Sequence, residues 1–151
     1  MTRLDELLTI ITKKHIFLQM HNYPDQDALA SAKGLQVLLT SRGINSTICY
    51  KGHIDKFNTL QMIEQLRINI YSIKELKMED DDEIILVDCQ KGNSNVKDFI
   101  GVEIGCIDHH KIQFPYSYRF SDIRSEIGAC STIIAHYFLE NNLEIDSELA
   151  T

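Results

Sequence analysis

The chain has 151 residues, of which 44% are hydrophobic and 25% are charged, and its formal net charge is -7. A chain of this length forms one domain with a substantial hydrophobic core, and the negative charge argues against wrapping long duplex nucleic acid by neutralising phosphates. No uncharged apolar stretch reaches the roughly 20 residues that a membrane helix needs, so the composition predicts a soluble cytoplasmic protein with no membrane partner.

The first half of the chain predicts alternating helices and strands. Leucine and isoleucine recur over residues 4–11 at the spacing of a short amphipathic helix, and residues 15–20 (HIFLQM) predict a strand. Pro24 keeps the preceding residue out of the helical region and therefore predicts a loop. A helix with small residues begins near Ala28 and can approach a sheet closely. Further predicted elements are a strand at 44–50, a helix at 57–66 and a strand at 68–73.

The second half continues this alternation. Residues 83–88 (EIILVD) form the continuous apolar run that is typical of a strand covered on both faces. Residues 93–99 are a candidate helix, 102–107 predict a strand, 127–142 predict a helix, and residues 145–148 look like the cap of a last short helix. Strands that alternate with helices predict an α/β fold with a mostly parallel, Rossmann-like sheet flanked by helices on both faces.

The four cysteines are widely spaced, and no two of them form a Cys-x-x-Cys pair. They are Cys49, Cys89, Cys106 and Cys130. Such spacing favours buried free thiols over a zinc site or a disulfide framework.

Carboxylate and imidazole side chains follow three of the predicted strands at the point where each strand ends. In chain order they are His21, Asp25 and Asp27, then Asp88, then Asp108, His109 and His110. Because ligands bind outside the carboxyl ends of the strands in such folds, these side chains are expected to meet at one edge of the sheet. This convergence predicts a metal centre.

The types of side chain restrict the metal. Imidazole with several carboxylates, and without a required thiolate, suits manganese, magnesium or a related divalent ion better than a structural zinc. The predicted ligands are His21, Asp25, Asp27, Asp88 and His109. Their three negative charges would face four positive charges from two ions, which leaves net attraction for an anionic phosphate. This balance favours a binuclear phosphoester hydrolase.

Two of these residues are the expected catalytic groups. Two ions about 3.5 to 4 Å apart can clamp a phosphoryl group and lower the pKa of a bridging water towards roughly 7. Asp88 is the expected bridge between the ions, because its strand lies between the other two clusters. His110 stands beside a predicted ligand and could contact the phosphate or the leaving oxygen. The role of Asp108 stays open, with orientation of an imidazole as one alternative.

Several polar residues also have plain structural interpretations. Asp25 and Asp27 are good helix-capping residues. Ser131 and Thr132 either satisfy backbone amides at a helix start or help to bind substrate phosphate, and both alternatives stay open. The acidic run at 79–83 (EDDDE) precedes its strand, so it predicts a solvated turn at the opposite edge of the sheet.

Four segments, in this order, resemble the motifs of the DHH phosphoesterase superfamily: HNYPDQDALAS, VDC, IDHH and GACST, which span residues 21–132. The resemblance implies two divalent ions, usually manganese, with Asp88 shared between them and His110 near the substrate. The ligands that it implies are His21, Asp25, Asp27, Asp88 and His109. The superfamily includes oligoribonucleases, adenosine-bisphosphate phosphatases, cyclic dinucleotide phosphodiesterases, single-strand DNA exonucleases, exopolyphosphatases and manganese pyrophosphatases.

The resemblance also implies parts that lie outside these 151 residues. In the superfamily, another metal-bridging aspartate follows the helix of the fourth motif, and a second domain carries a glycine-rich substrate-binding motif. Asp146 is not a convincing substitute for that aspartate, because it looks like the cap of a short helix. We therefore expect residues 1–151 to be a DHH domain that is incomplete at its C-terminus and has little or no activity alone. A homodimer is an expectation for the full-length protein.

The sequence thus favours a manganese-dependent hydrolase of phosphodiester or phosphomonoester bonds in small nucleotides or short oligonucleotides. Within the superfamily, a pyrophosphatase or exopolyphosphatase is the alternative. A nucleotide-sensing module that has lost catalysis is a further hypothesis, although a sensor has no need of two ions. A dinucleotide oxidoreductase is excluded, because no Gly-x-Gly-x-x-Gly follows the first strand.

Overall fold

The computed structural model describes residues 1–150 and contains a six-stranded sheet. The strands are β1 (His15–Gln19), β2 (Asn45–Tyr50), β3 (Ile70–Ser72), β4 (Glu83–Val87), β5 (Val102–Asp108) and β6 (Phe120–Ile123). The α-helices are α1 (Arg3–Ile10), α2 (Gln26–Ser41), α3 (Phe57–Gln65) and α4 (Cys130–Glu140), and a 3-10 turn covers Ile73–Glu75. All strand pairs are parallel, so the predicted α/β fold class is confirmed.

The strand order opens a crevice above the middle of the sheet. The order is β3-β2-β1-β4-β5-β6, so the chain first builds outward from β1 and then returns to add β4 on its other side. Loops that leave the carboxyl ends of β1 and β4 therefore diverge at this switch point. The predicted site residues follow these two strands and β5.

The α-helices pack on one face of the sheet, whereas the sequence predicts helices on both faces. Leu35 of α2 and Ile134 of α4 belong to a large buried cluster that also includes residues of α1 and receives side chains of α3. Phe17 of β1 lies in a second cluster on the opposite face. Ile73 of the 3-10 turn and Phe99 of the loop after β4 belong to this second cluster, so non-helical segments cover that face.

The structure corrects two predicted helices and adds one strand. Residues 93–99 contain a turn at 94–95, closed by the Val96 amide, which donates to the Asn93 carbonyl at 3.0 Å, and are otherwise irregular. Asp146 makes the predicted capping contact, since its Oδ1 accepts the Leu149 amide at 2.8 Å, but residues 147–150 form a turn and not the expected helix. Strand β6 is not predicted from its four-residue sequence.

The four cysteines are buried with free thiols, in agreement with the prediction. Burial raises the pKa of each of these thiols, as expected for small apolar core residues. Among the described residues, no helix has the length and apolar character to cross a membrane.

The acidic run at 79–83 is not wholly a solvated turn, as the sequence predicts, because the side chain of Glu83 is buried. Its carboxylate accepts the Thr12 amide at 2.9 Å, the Thr12 hydroxyl at 2.7 Å and the Lys13 amide at 3.1 Å. We expect Glu83→Ala to lower the free energy of unfolding by about 2 to 3 kcal/mol, because these groups lose their acceptor. Urea unfolding measures this loss, with the exposed Asp80→Ala as the control. Equal effects of the two substitutions would contradict the expectation.

Candidate metal centre

The loop after β1 is held in a defined turn at the crevice. Tyr23 has a positive φ of 55°, and the chain then enters α2 with Asp25 as its N-cap. The Asn22 amide donates to the Asn95 carbonyl at 2.6 Å, and the Tyr23 amide donates to the Lys51 carbonyl at 3.1 Å. The loop is therefore anchored on both sides, which fixes the side chains that it carries.

Asp88 directly follows β4 and is the most buried of the predicted ligands, with 2% of its surface exposed. Its φ of 59° is left-handed, a conformation that costs a residue other than glycine of order 1 kcal/mol or more. The Oδ1 atom has no hydrogen-bond partner among the described residues. Burial, and then the charges of Asp27 and Asp108, raise the pKa of Asp88 to about 7. A strained, buried carboxylate with one unpartnered oxygen is suited to bind a cation.

Two histidines contact the two oxygens of Asp88. Nε2 of His21 lies 3.7 Å from Oδ2, and Nε2 of His109 lies 3.4 Å from Oδ1. Each ring directs Nδ1 at a backbone carbonyl, His21 at Asn22 (2.9 Å) and His109 at Ile127 (3.2 Å). A carbonyl can only accept, so Nδ1 carries the proton and Nε2 of the neutral ring keeps a lone pair for a metal.

Asp25 and Asp27 complete the set of predicted ligands. Oδ1 of Asp25 lies 3.7 Å from Nε2 of His21, and this contact lowers the pKa of Asp25. Oδ2 of Asp27 lies 3.6 Å from Nε2 of His109. Asp88 thus faces His21 and Asp25 on one side, and Asp27 and His109 on the other. The structure brings all five predicted ligands together.

Asp108 holds the two adjacent histidines in place. It is fully buried, and its Oδ1 accepts both the His109 amide and Nδ1 of His110 at 2.8 Å. Its Oδ2 accepts Nε2 of Gln90 at 2.7 Å, and the same Gln90 nitrogen donates to the His110 carbonyl at 3.0 Å. Asp108 therefore orients an imidazole, the alternative that the sequence leaves open. Gln90 is not predicted from the sequence, where the only signal is a polar residue soon after a strand end.

Asp27 also joins the start of α4 to the centre. Its two oxygens accept the amides of Cys130 at 2.8 Å and Ser131 at 2.9 Å. The Thr132 amide donates to the Ala129 carbonyl at 3.2 Å. Both amides of the Ser131–Thr132 pair thus have protein partners, and a role in phosphate binding would depend on the hydroxyl groups. That role stays a prediction.

The geometry fits divalent cations. The separations of 3.4 to 3.7 Å between imidazole and carboxylate atoms exceed ordinary hydrogen-bond lengths. They resemble the spacing of about 3.0 to 3.6 Å between neighbouring ligands that each lie about 2.1 Å from one ion. Two groups of ligand atoms that could hold an ion share Asp88: one with His21 and Asp25, the other with His109 and His110. Hard oxygen donors with imidazole suit manganese or magnesium.

Known proteins are similar to this chain in sequence. Residues 15–151 match the sequence model of the DHH family, N-terminal domain. An uncharacterized protein of Methanocaldococcus jannaschii is 29% identical, over 92% of this chain and 29% of its own length. A probable manganese-dependent inorganic pyrophosphatase of Streptococcus thermophilus is 27% identical, over 89% of this chain and 44% of its own length. The manganese-dependent inorganic pyrophosphatase of Bacillus subtilis is 26% identical, over 86% of this chain and 42% of its own length.

A solved structure shows the same fold. The crystal structure of an exopolyphosphatase-related protein from Bacteroides fragilis superimposes with a TM-score of 0.70 at 18% identity, and the match covers 91% of this chain and 43% of that one. The chain therefore spans less than half the length of these relatives. Since the family match covers nearly the whole chain and contains every residue of the centre, the chain belongs to the DHH family, of which it carries the N-terminal domain.

Proposed function

We propose that this chain is the metal-binding domain of a manganese-dependent phosphohydrolase. The observation that carries the proposal is the buried carboxylate of Asp88, whose Oδ1 has no hydrogen-bond partner among the described residues and which lies between two histidines whose Nε2 atoms face it. One ion would be held by His21, Asp25 and Asp88, and a second by Asp27, Asp88 and His109. Manganese is favoured because several relatives carry it in their names, and magnesium is the alternative.

When bound, the ions would polarise a phosphoryl group and lower the pKa of the attacking water. His110 supplies a proton at the rim of the centre, where half of its side chain is exposed. Although burial opposes its charge, the hydrogen bond with Asp108 raises the pKa of His110. With Nδ1 held by Asp108, the charged ring can donate Nε2–H to a phosphate or leaving oxygen.

Small nucleotides and short oligonucleotides are the first proposed substrates. Inorganic pyrophosphate or polyphosphate is the second candidate, which the names of the relatives favour. The test is a manganese-supplemented assay of this chain, and of the natural protein at full length, against pApA, adenosine bisphosphate, cyclic di-AMP and pyrophosphate. We expect the full-length protein to show hydrolysis that a chelator abolishes, and residues 1–151 alone to show little or none. A full-length protein that binds manganese but is inert towards all four compounds would favour the sensor hypothesis.

Gln90 offers a test of how the centre is supported. Gln90→Met keeps the volume of this buried side chain but removes the donor to Asp108 and to the His110 carbonyl. We expect manganese affinity to fall by about 10- to 100-fold, as is typical when a residue behind a metal ligand is lost. Calorimetric titration measures the affinity, and the exposed Gln65→Met is the control. Unchanged affinity would show that Gln90 does not position the centre.

A further inference from the structure

A ring contact joins the loop after β1 to a neighbouring loop that carries no predicted ligand. Tyr23 lies in chain order between the predicted ligands His21 and Asp25, and its amide donates to the Lys51 carbonyl at 3.1 Å. Lys51 begins the β2–α3 loop, which covers residues 51–56. We propose that Tyr23 is a positioning residue, through which the β2–α3 loop fixes the ion that His21 and Asp25 would hold. The inference rests on the proposed function, because that ion belongs to the proposed centre.

The backbone of Tyr23 has a conformation that needs support from its surroundings. Its φ of 55° is left-handed, a region that glycine and asparagine enter readily but that is an outlier for a bulky side chain. Such a conformation persists only where neighbouring structure holds it. Tyr23 is 58% exposed and does not belong to the hydrophobic core, so this support has to come from outside the core.

Gly52 and His53 of the β2–α3 loop contact the Tyr23 ring. A Cβ atom at Gly52 would stand only 2.7 Å from Cε1 of Tyr23, so the ring packs where any larger residue would displace it. The His53 ring meets it edge-on, with ring centroids 5.1 Å apart and an angle of 78° between the ring planes. Aromatic pairs favour this arrangement. With the bond to the Lys51 carbonyl, these contacts attach Tyr23 to three consecutive residues of one loop.

The ion next to His21 and Asp25 would depend on the shape of this turn. Nδ1 of His21 faces the Asn22 carbonyl at 2.9 Å, so the imidazole takes its orientation from the residue that directly precedes Tyr23. Asp25 follows Tyr23 by two residues and is the N-cap of α2. A displacement of Tyr23 therefore shifts the group that orients one ligand and the segment that carries the other.

The second ion would have ligands that other elements hold. Asp27 accepts two backbone amides of α4 at 2.8 and 2.9 Å, and the His109 amide donates to Asp108 at 2.8 Å. These bonds lie on the far side of Asp88 from Tyr23. Loss of the ring contact should therefore weaken the ion next to His21 and spare the ion next to Asp27.

Manganese binding that is resolved for each ion tests the inference. We expect crystals of Tyr23→Ala, grown at a manganese concentration that just saturates the wild type, to keep the anomalous peak next to Asp27 and to lose most of the peak next to His21. In calorimetric titration, the affinity for one of the two ions should fall about 10- to 100-fold. Tyr23→Phe keeps the ring and should bind both ions like the wild type. Tyr71→Ala, in an exposed tyrosine of β3, is the matched control and should change neither ion.

Two further substitutions keep the test valid if Tyr23→Ala does not fold, which urea unfolding with a chelator detects. Gly52→Ala places a Cβ atom against the ring and should lower the affinity for the same ion by about tenfold or more. His53→Ala removes only the edge-on partner, from a largely exposed position, and should lower this affinity about two- to tenfold.

The outcomes separate this inference from the proposed function. Wild-type binding of both ions by Tyr23→Ala and Gly52→Ala would overturn the positioning role and leave the phosphohydrolase intact. Equal weakening of the two ions would overturn it as well, since the ring would then support the fold as a whole. Loss of an ion in Tyr23→Phe would show that the ring is not the group that acts. Failure of the unsubstituted chain to bind manganese would overturn both proposals.

Discussion

Asp88→Asn is expected to weaken manganese binding strongly while making the metal-free protein more stable above pH 7. Asparagine has nearly the same size and tolerates the left-handed backbone of residue 88, which has a φ of 59°. Its neutral amide cannot balance the charge of the two cations that we propose. We expect manganese affinity to fall by more than about 100-fold, beyond the loss typical of a residue that only supports a ligand.

The gain in stability follows from the pKa of Asp88. Burial, and then the charges of Asp27 and Asp108, raise this pKa from 3.8 to about 7 in the folded protein. Between these two values the folded state keeps a proton that the unfolded state releases, so the stability of the metal-free wild type falls as pH rises and stays low above pH 7. The substitution removes this loss, which amounts to at most about 4 kcal/mol.

Urea unfolding of both proteins, with a chelator and with manganese, measures these effects. With the chelator, the variant should be more stable by a few kcal/mol at about pH 8 and by much less at about pH 4.5. With manganese at the higher pH, only the wild type should gain stability, because only it binds the ions. The exposed Asp55→Asn is the control. An equal response of wild type and Asp88→Asn to manganese would show that Asp88 is not a ligand.

Asp27→Ala is expected to weaken both the metal centre and the fold. The two oxygens of Asp27 accept the amides of Cys130 and Ser131, the first two residues of α4, at 2.8 and 2.9 Å. Without them, these amides lose charge-assisted bonds at a helix start. We expect the free energy of unfolding of the metal-free protein to fall by about 2 to 4 kcal/mol, and manganese affinity to fall as well.

Asp25→Ala is the matched comparison for this result. Asp25 is also a predicted ligand, but it caps only its own helix, through the Ala28 amide at 3.0 Å. Asp25→Ala should lower the free energy of unfolding of the metal-free protein by about 1 kcal/mol. It should lower manganese affinity about as much as Asp27→Ala does. Chemical unfolding with a chelator and calorimetric titration with manganese measure the two effects. Equal destabilisation of the metal-free protein by both substitutions would contradict a special role of Asp27 in holding α4.

The ligand positions were predictable because parallel strands share one carboxyl edge. The apolar runs that form β1, β4 and β5 are clear in the sequence, and every strand end with an acid or a histidine then has to face the same crevice. His21, Asp88 and His109 meet for this reason, although they are far apart in the chain. The family was predicted from the order of the four motifs. The match of residues 15–151 to the sequence model of the DHH family confirms it.

Other features depend on contacts that no local pattern encodes. Strand β6 has four residues and is held by its pairing with β5 and by the bonds of Asp122 to Arg124 and to the Tyr137 hydroxyl. The helices lie on one face because the 90–99 segment, rich in turn-forming residues, covers the other. Gln90 supports Asp108 only because the Asp108 side chain points towards it. This choice of rotamer cannot be predicted from the sequence.

Anomalous diffraction from crystals of this chain grown with manganese would locate the bound ions. We expect two manganese peaks on either side of the Asp88 carboxylate, one next to His21 and Asp25 and the other next to Asp27 and His109. Both peaks should be absent from crystals of Asp88→Asn. Manganese bound elsewhere, or no manganese at saturating concentration, would contradict a shared pair of ions at these strand ends.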